Sequence, residues 1–244
     1  MRVEALAIEL RPRPMTEAAD LGAALVREHA RSVWSCYAVV MAMVLLLAIA
    51  SSDISPWAPT LVVFLAKPWM DRTLLFVLSR AVFGQETRPR DLWAQRKAVW
   101  WSQLGAALLV QRLSPWRSYT QPALQLEGQH GKARRKRREQ LLAGRRAAAL
   151  RMQFAFSATE GALIAGAYAA MLWFAPEGMQ AGLLTWLADA DALGNVFVSV
   201  SIYSGVVFAL EPFFVAAGFA MYLNRRVELE AWDVEQEFRR AFVR

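Results

Sequence analysis

Long apolar runs separate the cationic stretches of this chain, and that separation limits what it can fold into. All 28 Lys and Arg fall within residues 1–32, 67–99, 111–151 and 224–244. The polar connection 175–192 carries Glu177, Asp189 and Asp191 and no Lys or Arg. Basic segments kept to one side of a set of apolar runs are the mark of a polytopic inner-membrane protein. A soluble fold fits poorly. Apolar residues make up 56% of the 244, ten of them are Trp, and the net charge is still +7. A soluble protein of that composition needs a very large core. Nucleic acid is not expected as a partner, because no zinc spacing, RNP-like aromatic pattern or helix-turn-helix signal accompanies the charge. Contact with anionic lipid headgroups is the simpler use of it. The single cysteine, Cys36, lies inside an apolar run and reads as a small packing residue. No cleavable signal peptide is expected, since the first 32 residues are polar.

Residues 1–32 read as a cytoplasmic tail and a juxtamembrane helix that runs through Leu21, Leu25 and Arg31 into the first span. Residues 33–50 hold no charge and are about as long as a bilayer core requires. Ser51, Ser52, Asp53 and Pro56 form a loop without basic residues, suited to the outer side. A second span is predicted from about 54 to 70, finishing at the Lys67–Pro68 break, so that 33–70 holds the first two spans. Residues 73–83 then read as an interfacial helix with Arg72 and Arg80 on its wetter side. The alternative is one bent helix through to Phe83, with Asp71 and Arg72 buried as a pair. Residues 100–110 have the same ambiguity and read as a helix in the cytoplasmic interface, with Trp100 and Trp101 at headgroup depth. Both lie in a basic cytoplasmic and interfacial section, 71–152, whose most basic part, 132–151, reads as a solvated helix.

Residues 154–175 form a third predicted span, with Glu160 inside it. Residues 193–223 are longer than one span needs and are predicted to form a single fourth helix kinked at Glu211–Pro212. The last two spans thus occupy 153–223, and 224–244 reads as a cytoplasmic amphipathic helix. The expected fold class is an all-α integral membrane protein. It has about four transmembrane helices plus interfacial and cytoplasmic amphipathic helices, with both termini in the cytoplasm of a bacterium.

Motifs for catalysis are missing. His29 and His130 lie in polar segments outside any triad context, and there is no HExxH, GxxxxGK[ST] or GxGxxG sequence. No catalytic, cofactor-binding or metal-binding residue is assigned, and a non-enzymatic role is expected. Three groups of residues invite a functional reading. Glu160 and Glu211 are ionisable groups at membrane depth, where charge is costly and marks function by default; Pro212 adds broken helix geometry beside the second. A packing role is the bland alternative. Arg225, Arg226, Glu230, Trp232 and Asp233 form a polar and aromatic cluster below the last span, suited to docking a partner or to anchoring. Arg134, Arg135, Lys136, Arg137 and Arg138 suit contact with anionic lipid or simple solvation. Gly161, Ala165 and Ala169 follow a small-xxx-small spacing that permits close helix packing within the chain or between copies.

Several stretches resemble a family of bacterial inner-membrane proteins with no assigned activity. They are Lys-Pro-Trp-Met-Asp-Arg at 67–72 with Leu-Ser-Arg-Ala-Val-Phe-Gly at 78–84, and Arg-Leu-Ser-Pro-Trp-Arg-Ser at 112–118 with Leu-Glu-Gly at 126–128. The strongest is Glu-Pro-Phe-Phe-Val-Ala-Ala-Gly-Phe-Ala-Met-Tyr-Leu-Asn-Arg-Arg at 211–226, leading into Leu-Glu-Ala-Trp-Asp-Val-Glu at 229–235. Members resemble products of gene clusters that also encode a MoxR-type AAA+ ATPase, von Willebrand factor A-domain proteins and other small membrane proteins. The resemblance implies a scaffold or accessory subunit of a membrane assembly and supplies no catalytic residues. A transporter or channel component using Glu211 and Glu160, and an anionic-lipid-handling protein, are the other two readings.

Overall fold

The computed structural model describes residues 12–101, 114–128, 131–189 and 192–230. Among them every regular element is helical: α1 (Met15–Glu28), α2 (Ala30–Ala50), α3 (Ala58–Ala81), α4 (Pro89–Ala94), a π-helical turn (Lys97–Trp101), α5 (Arg117–Gln125), α6 (Gly131–Leu142), α7 (Arg146–Trp173), α8 (Gln180–Ala188) and α9 (Leu193–Glu230). Three of these, α2, α7 and α9, are long and apolar enough to cross a membrane.

The first predicted span is legible from its uncharged run, and α2 shows why such a run suits a bundle edge. Val33, Cys36, Tyr37, Val40, Met41, Val44 and Ala48 recur at helical spacing and are buried. Leu46, Leu47 and Ile49, near the helix end, are exposed. The helix before it is separate. The chain leaves helical geometry at His29 (φ −105°, ψ 27°), so α1 does not run into the first span as its sequence predicts. Instead α1 lies along α9. Gly22 makes that contact possible: a Cβ there would stand 2.3 Å from the Ala216 carbonyl oxygen.

The largest correction concerns α3. It neither ends at Met70 nor gives way to an interfacial helix over 73–83; it continues for 24 residues through Lys67 and Pro68 to Ala81. Pro68 brings no N–H to the helix ladder, and side chains of α5 brace this stretch: Gln121 Nε2 donates to the Pro68 carbonyl at 3.1 Å and Gln125 Nε2 to the Arg72 carbonyl at 2.8 Å. Arg72 is not on a wet face. It is 2% exposed and donates through Nε to the Val99 carbonyl at 2.5 Å. That bond, with Trp100 Nε1 donating to Thr73 Oγ1 at 3.0 Å, seats the π-helical turn on α3. Trp100 is therefore buried, whereas Trp101 is exposed. Nor do Asp71 and Arg72 pair with each other as in the bent-helix alternative: neighbours on a helix point about 100° apart, and Asp71 finds Arg117 instead. The rest of the 100–110 reading lies outside the described residues.

The basic stretch 132–151 is two helices, not one. A turn at Gly144, in left-handed geometry at φ +70°, ends α6 and lets α7 start at Arg146, eight residues before the predicted span. The connection between α7 and α9 also holds a helix that its sequence did not announce, α8. Asn195 Nδ2 donates to the Leu187 and Asp189 carbonyls, both at 2.9 Å, and fastens its end to α9. As expected, α9 is one continuous helix with Pro212 inside, 38 residues long and about 57 Å from end to end. It is the axis of the fold, in contact with α1, α2, α3, α5, α6 and α7. The part of the carboxy-terminal helix beyond Glu230 lies outside the described residues.

Gly22→Val is expected to lower the melting temperature of the detergent-purified protein by the equivalent of about 1–3 kcal/mol, the cost of forcing a side chain into a closed contact. Gly205→Ala, where an added Cβ meets nothing within 4 Å, is expected to leave it unchanged; equal melting of the two variants would contradict the α1–α9 contact.

Candidate functional site

Lys67 and Asp71 are four residues apart on α3 and so lie on one face, one turn from each other. That face meets α9 at Glu211, α5 at Arg117 and α7 at Glu160. Arg117 Nε stands 2.9 Å from Asp71 Oδ2 and its Nη2 bonds Glu211 Oε1. Lys67 Nζ stands 2.8 Å from Glu211 Oε2 and 2.7 Å from Glu160 Oε2. The five side chains thus form a line of alternating sign: Asp71, Arg117, Glu211, Lys67, Glu160. Four helices contribute to it.

Burial is graded along the line. The Asp71 side chain is 0% exposed, Glu211 3%, Lys67 and Arg117 4% each, and Glu160 21%. The open end borders a cavity of about 500 Å³, with Ser114, Gln153 and Ser157 as further polar lining and Phe64, Phe156 and Phe214 among its apolar walls. The Arg117 guanidinium also lies over the Phe214 ring, 5.1 Å from its centroid. At the closed end, the Tyr37 hydroxyl is buried without a hydrogen-bond partner among the described residues. Charges this deep persist because each is paired; removing one member of a buried pair leaves the other uncompensated and costs about 3–5 kcal/mol. The line contains three carboxyl groups and two cationic groups, so with all five ionised it carries one unit of negative charge.

Glu160 and Glu211, singled out by their position in apolar runs, are both in this line. Pro212 is buried beside Glu211. Lys67, Asp71 and Arg117 are not among the sequence candidates. Lys67 reads as a helix stop because Pro68 follows it, and Arg117 as one more basic residue of a cytoplasmic section. The available signal is the i, i+4 spacing of Lys67 and Asp71 within a run that is apolar on both sides.

The cluster at the foot of α9 is engaged within the chain. Glu230 accepts from Arg226 at 2.6 Å and from Arg137 at 2.5 Å. Arg137 also bonds Glu127 at 2.8 Å, and Tyr222 donates to the same carboxylate at 2.6 Å. Arg225 bonds Glu228 at 2.6 Å and the Ala143 carbonyl at 3.1 Å. These contacts fasten α6 to α9, so Arg225, Arg226 and Glu230 serve internal docking. Trp232 and Asp233 lie outside the described residues. Of the five cations expected at lipid, Arg137 points inward, Arg134 is half-buried, and Arg135, Lys136 and Arg138 are exposed.

Among the described residues no group of three or more His, Cys, Asp and Glu is placed to hold a metal ion. No protein-family model matches the chain, and neither a curated protein nor a solved structure matches it.

Burial raises the pKa of Glu230, but the bonds from Arg226 and Arg137 outweigh it and hold the carboxyl below its ordinary 4.5. A depressed folded pKa stabilises fully above the unfolded value and the contribution is lost as pH falls through the folded one. The stability difference between wild type and Glu230→Gln is therefore expected to be constant above pH 4.5 and to shrink as the pH falls further. Thermal melts across that range check it, and a difference that grows on acidification would contradict the assignment.

Proposed function

We infer that this chain is an integral protein of the bacterial inner membrane in which the buried line of ion pairs forms a path or binding site for a proton or small cation. Four spans, α2, α3, α7 and α9, fit its pattern best. α3 is about 36 Å long at 1.5 Å per residue, sufficient to cross, and its Lys67, Asp71 and Arg72 face protein rather than lipid. Intramembrane charges are tolerated on that condition. An even number of spans puts both ends of the chain, with their basic residues, on the cytoplasmic side.

The observation that carries the functional reading is the alternating line itself, closed at Asp71 and open at Glu160 on a cavity with both polar and aromatic lining. Here Glu160 and Glu211 share Lys67, and Glu211 and Asp71 share Arg117, so each cation of the line is divided between two carboxylates. Chains of ionisable side chains between helices mark proton and ion pathways. Lys67, Arg117, Glu211 and Glu160 all line the cavity, and Glu160, the most exposed of them at 21%, is the natural point of arrival.

Purified protein in proteoliposomes holding a pH-sensitive dye, with a potassium diffusion potential imposed, is expected to pass protons faster than empty vesicles. Glu160→Gln, which keeps a polar group near Lys67, is expected to slow the flux at least tenfold at unchanged insertion and melting. Wild-type vesicles as tight as empty ones, for protons and for sodium and potassium alike, would sink the reading.

A second reading, the accessory subunit or scaffold, is favoured by α7. Of its 28 residues only Ala149 is buried, and Phe154, Leu163 and Trp173 are exposed. Such a helix has faces to offer a neighbouring membrane helix, including the open positions around Gly161. The resemblance to proteins encoded beside MoxR-type ATPases and A-domain proteins agrees with it. Affinity purification in mild detergent is expected to recover one of these partners, or another small membrane protein, in stoichiometric amount. Recovery of this chain alone, or only as a homo-oligomer, would remove that support.

A further inference from the structure

The exposed cations of α6 are not used by the ion-pair line or by the α6–α9 fastening. α6 has a fixed rotational setting. Leu141 and Leu142 are buried, Tyr119 donates its hydroxyl to the Leu141 carbonyl at 2.8 Å, and Arg137 points inward to Glu127 and Glu230. At 100° per residue, fixing Arg137 inward puts Lys132 and Arg135 on the opposite face and Lys136 and Arg138 on its flanks. All four are exposed. The only carboxylate on that face is Glu139, paired with Arg135 at 3.2 Å. Four cations and one carboxylate leave the outer surface of a twelve-residue helix with three positive charges.

The same surface is held at a definite height. After the Gly144 turn, α7 begins at Arg146, and Arg146 and Arg151 are also exposed. Three residues beyond Arg151, the side chain of Phe154 is on the outside of the fold and 75% exposed. An apolar ring so placed marks the level at which hydrocarbon begins, and Arg151 is about 4.5 Å along the helix from it. α6 is fastened at the foot of α9 and joined to α7 by a short turn, so its cations sit at headgroup height. A soluble acidic partner would require no such alignment with the lipid boundary.

We propose that the outer face of α6, through Lys132, Arg135, Lys136 and Arg138 with Arg146 and Arg151 beside them, binds the phosphates of anionic membrane lipids. The occupant is the cytoplasmic leaflet around the protein, and α6 acts as a charged shelf that sets the depth and tilt of α7. The proposal rests on the membrane reading above. Basic residues at an anionic surface each strengthen attachment about fivefold, an effect that fades within a Debye length.

The test uses the full chain in detergent and native mass spectrometry of lipids retained at equal added concentrations. Phosphatidylglycerol is expected to be retained at least tenfold better than phosphatidylcholine, and the preference to weaken as salt is raised from about 50 to 500 mM. A variant with Lys132, Arg135, Lys136 and Arg138 each changed to Gln leaves the inward residues intact. It is expected to melt as wild type does and to lose the preference. Equal retention of the two lipids by wild type, or undiminished preference in the variant, would overturn the proposal. So would binding of poly-glutamate without preference for phosphatidylglycerol, which would make the face a protein-docking surface. Flotation of the chain with pure phosphatidylcholine vesicles is scored separately. If it floats with them and shows no lipid preference, the membrane reading stands and this proposal alone fails.

Discussion

Glu211 is the point on which the arrangement of helices turns. Its two carboxylate oxygens bind different cations, Lys67 on α3 and Arg117 on α5, and Lys67 reaches on to Glu160 on α7. A carboxylate 3% exposed is largely removed from bulk solvent, and at such depth an unpaired charge costs several kcal/mol. The two cations must therefore be delivered to it by separate elements. α3 has to continue past Pro68 to carry Lys67 and Asp71 together, and α5 has to tuck inward to bring Arg117.

Backbone geometry supports the same junction. The two glutamine amides of α5 brace the Pro68 stretch of α3, while α9 is flanked by close approaches. Gly22 admits the backbone of Ala216 from one side, and Gly218 admits Ser118 of α5 from the other. A Cβ at either glycine would fall within 2.5 Å of a neighbour, so α1 and α5 reach α9 only because side chains are missing there. Tyr37 stacks on Phe208 at 5.5 Å and Trp34 meets Phe213 edge-on at 5.7 Å, closing the α2 side of the junction with aromatic contact. The outcome is a closely packed inner half, α1, α2, α3, α5 and α9, against which α7 leans with most of its surface uncovered.

The junction of α6 with α9 works by a different balance. Its ion pairs are partly solvated, so each is worth less than a buried one. Their effect comes from convergence: Glu127 gathers Arg137 and Tyr222, Glu230 gathers Arg137 and Arg226, and Glu228 gathers Arg145 and Arg225. Residues 225–230 therefore draw their acidic and basic members into one internal lock. The exposed positive charge is left on the far side of α6, where the lock cannot use it.

The apolar runs of α2, α7 and α9, the charge partition between them and the two carboxylates at depth were all legible in the sequence. Each is a local property: hydropathy over a window decides whether a helix can cross a membrane, and an ionisable residue inside such a window stands out unaided. The continuity of α3 was not legible, because Pro68 and the charges around it argue locally for an end. Only tertiary partners reverse that argument, by bracing the proline stretch and neutralising Lys67 and Asp71 with groups from α5, α7 and α9. The same holds for Arg117, which sequence context assigns to the cytoplasm and the fold places 4% exposed beside Asp71 and Glu211. The sequence determined which segments are apolar and where charge is scarce; which charges meet was decided by tertiary structure, since ion pairing depends on distances between helices that no window along the chain contains.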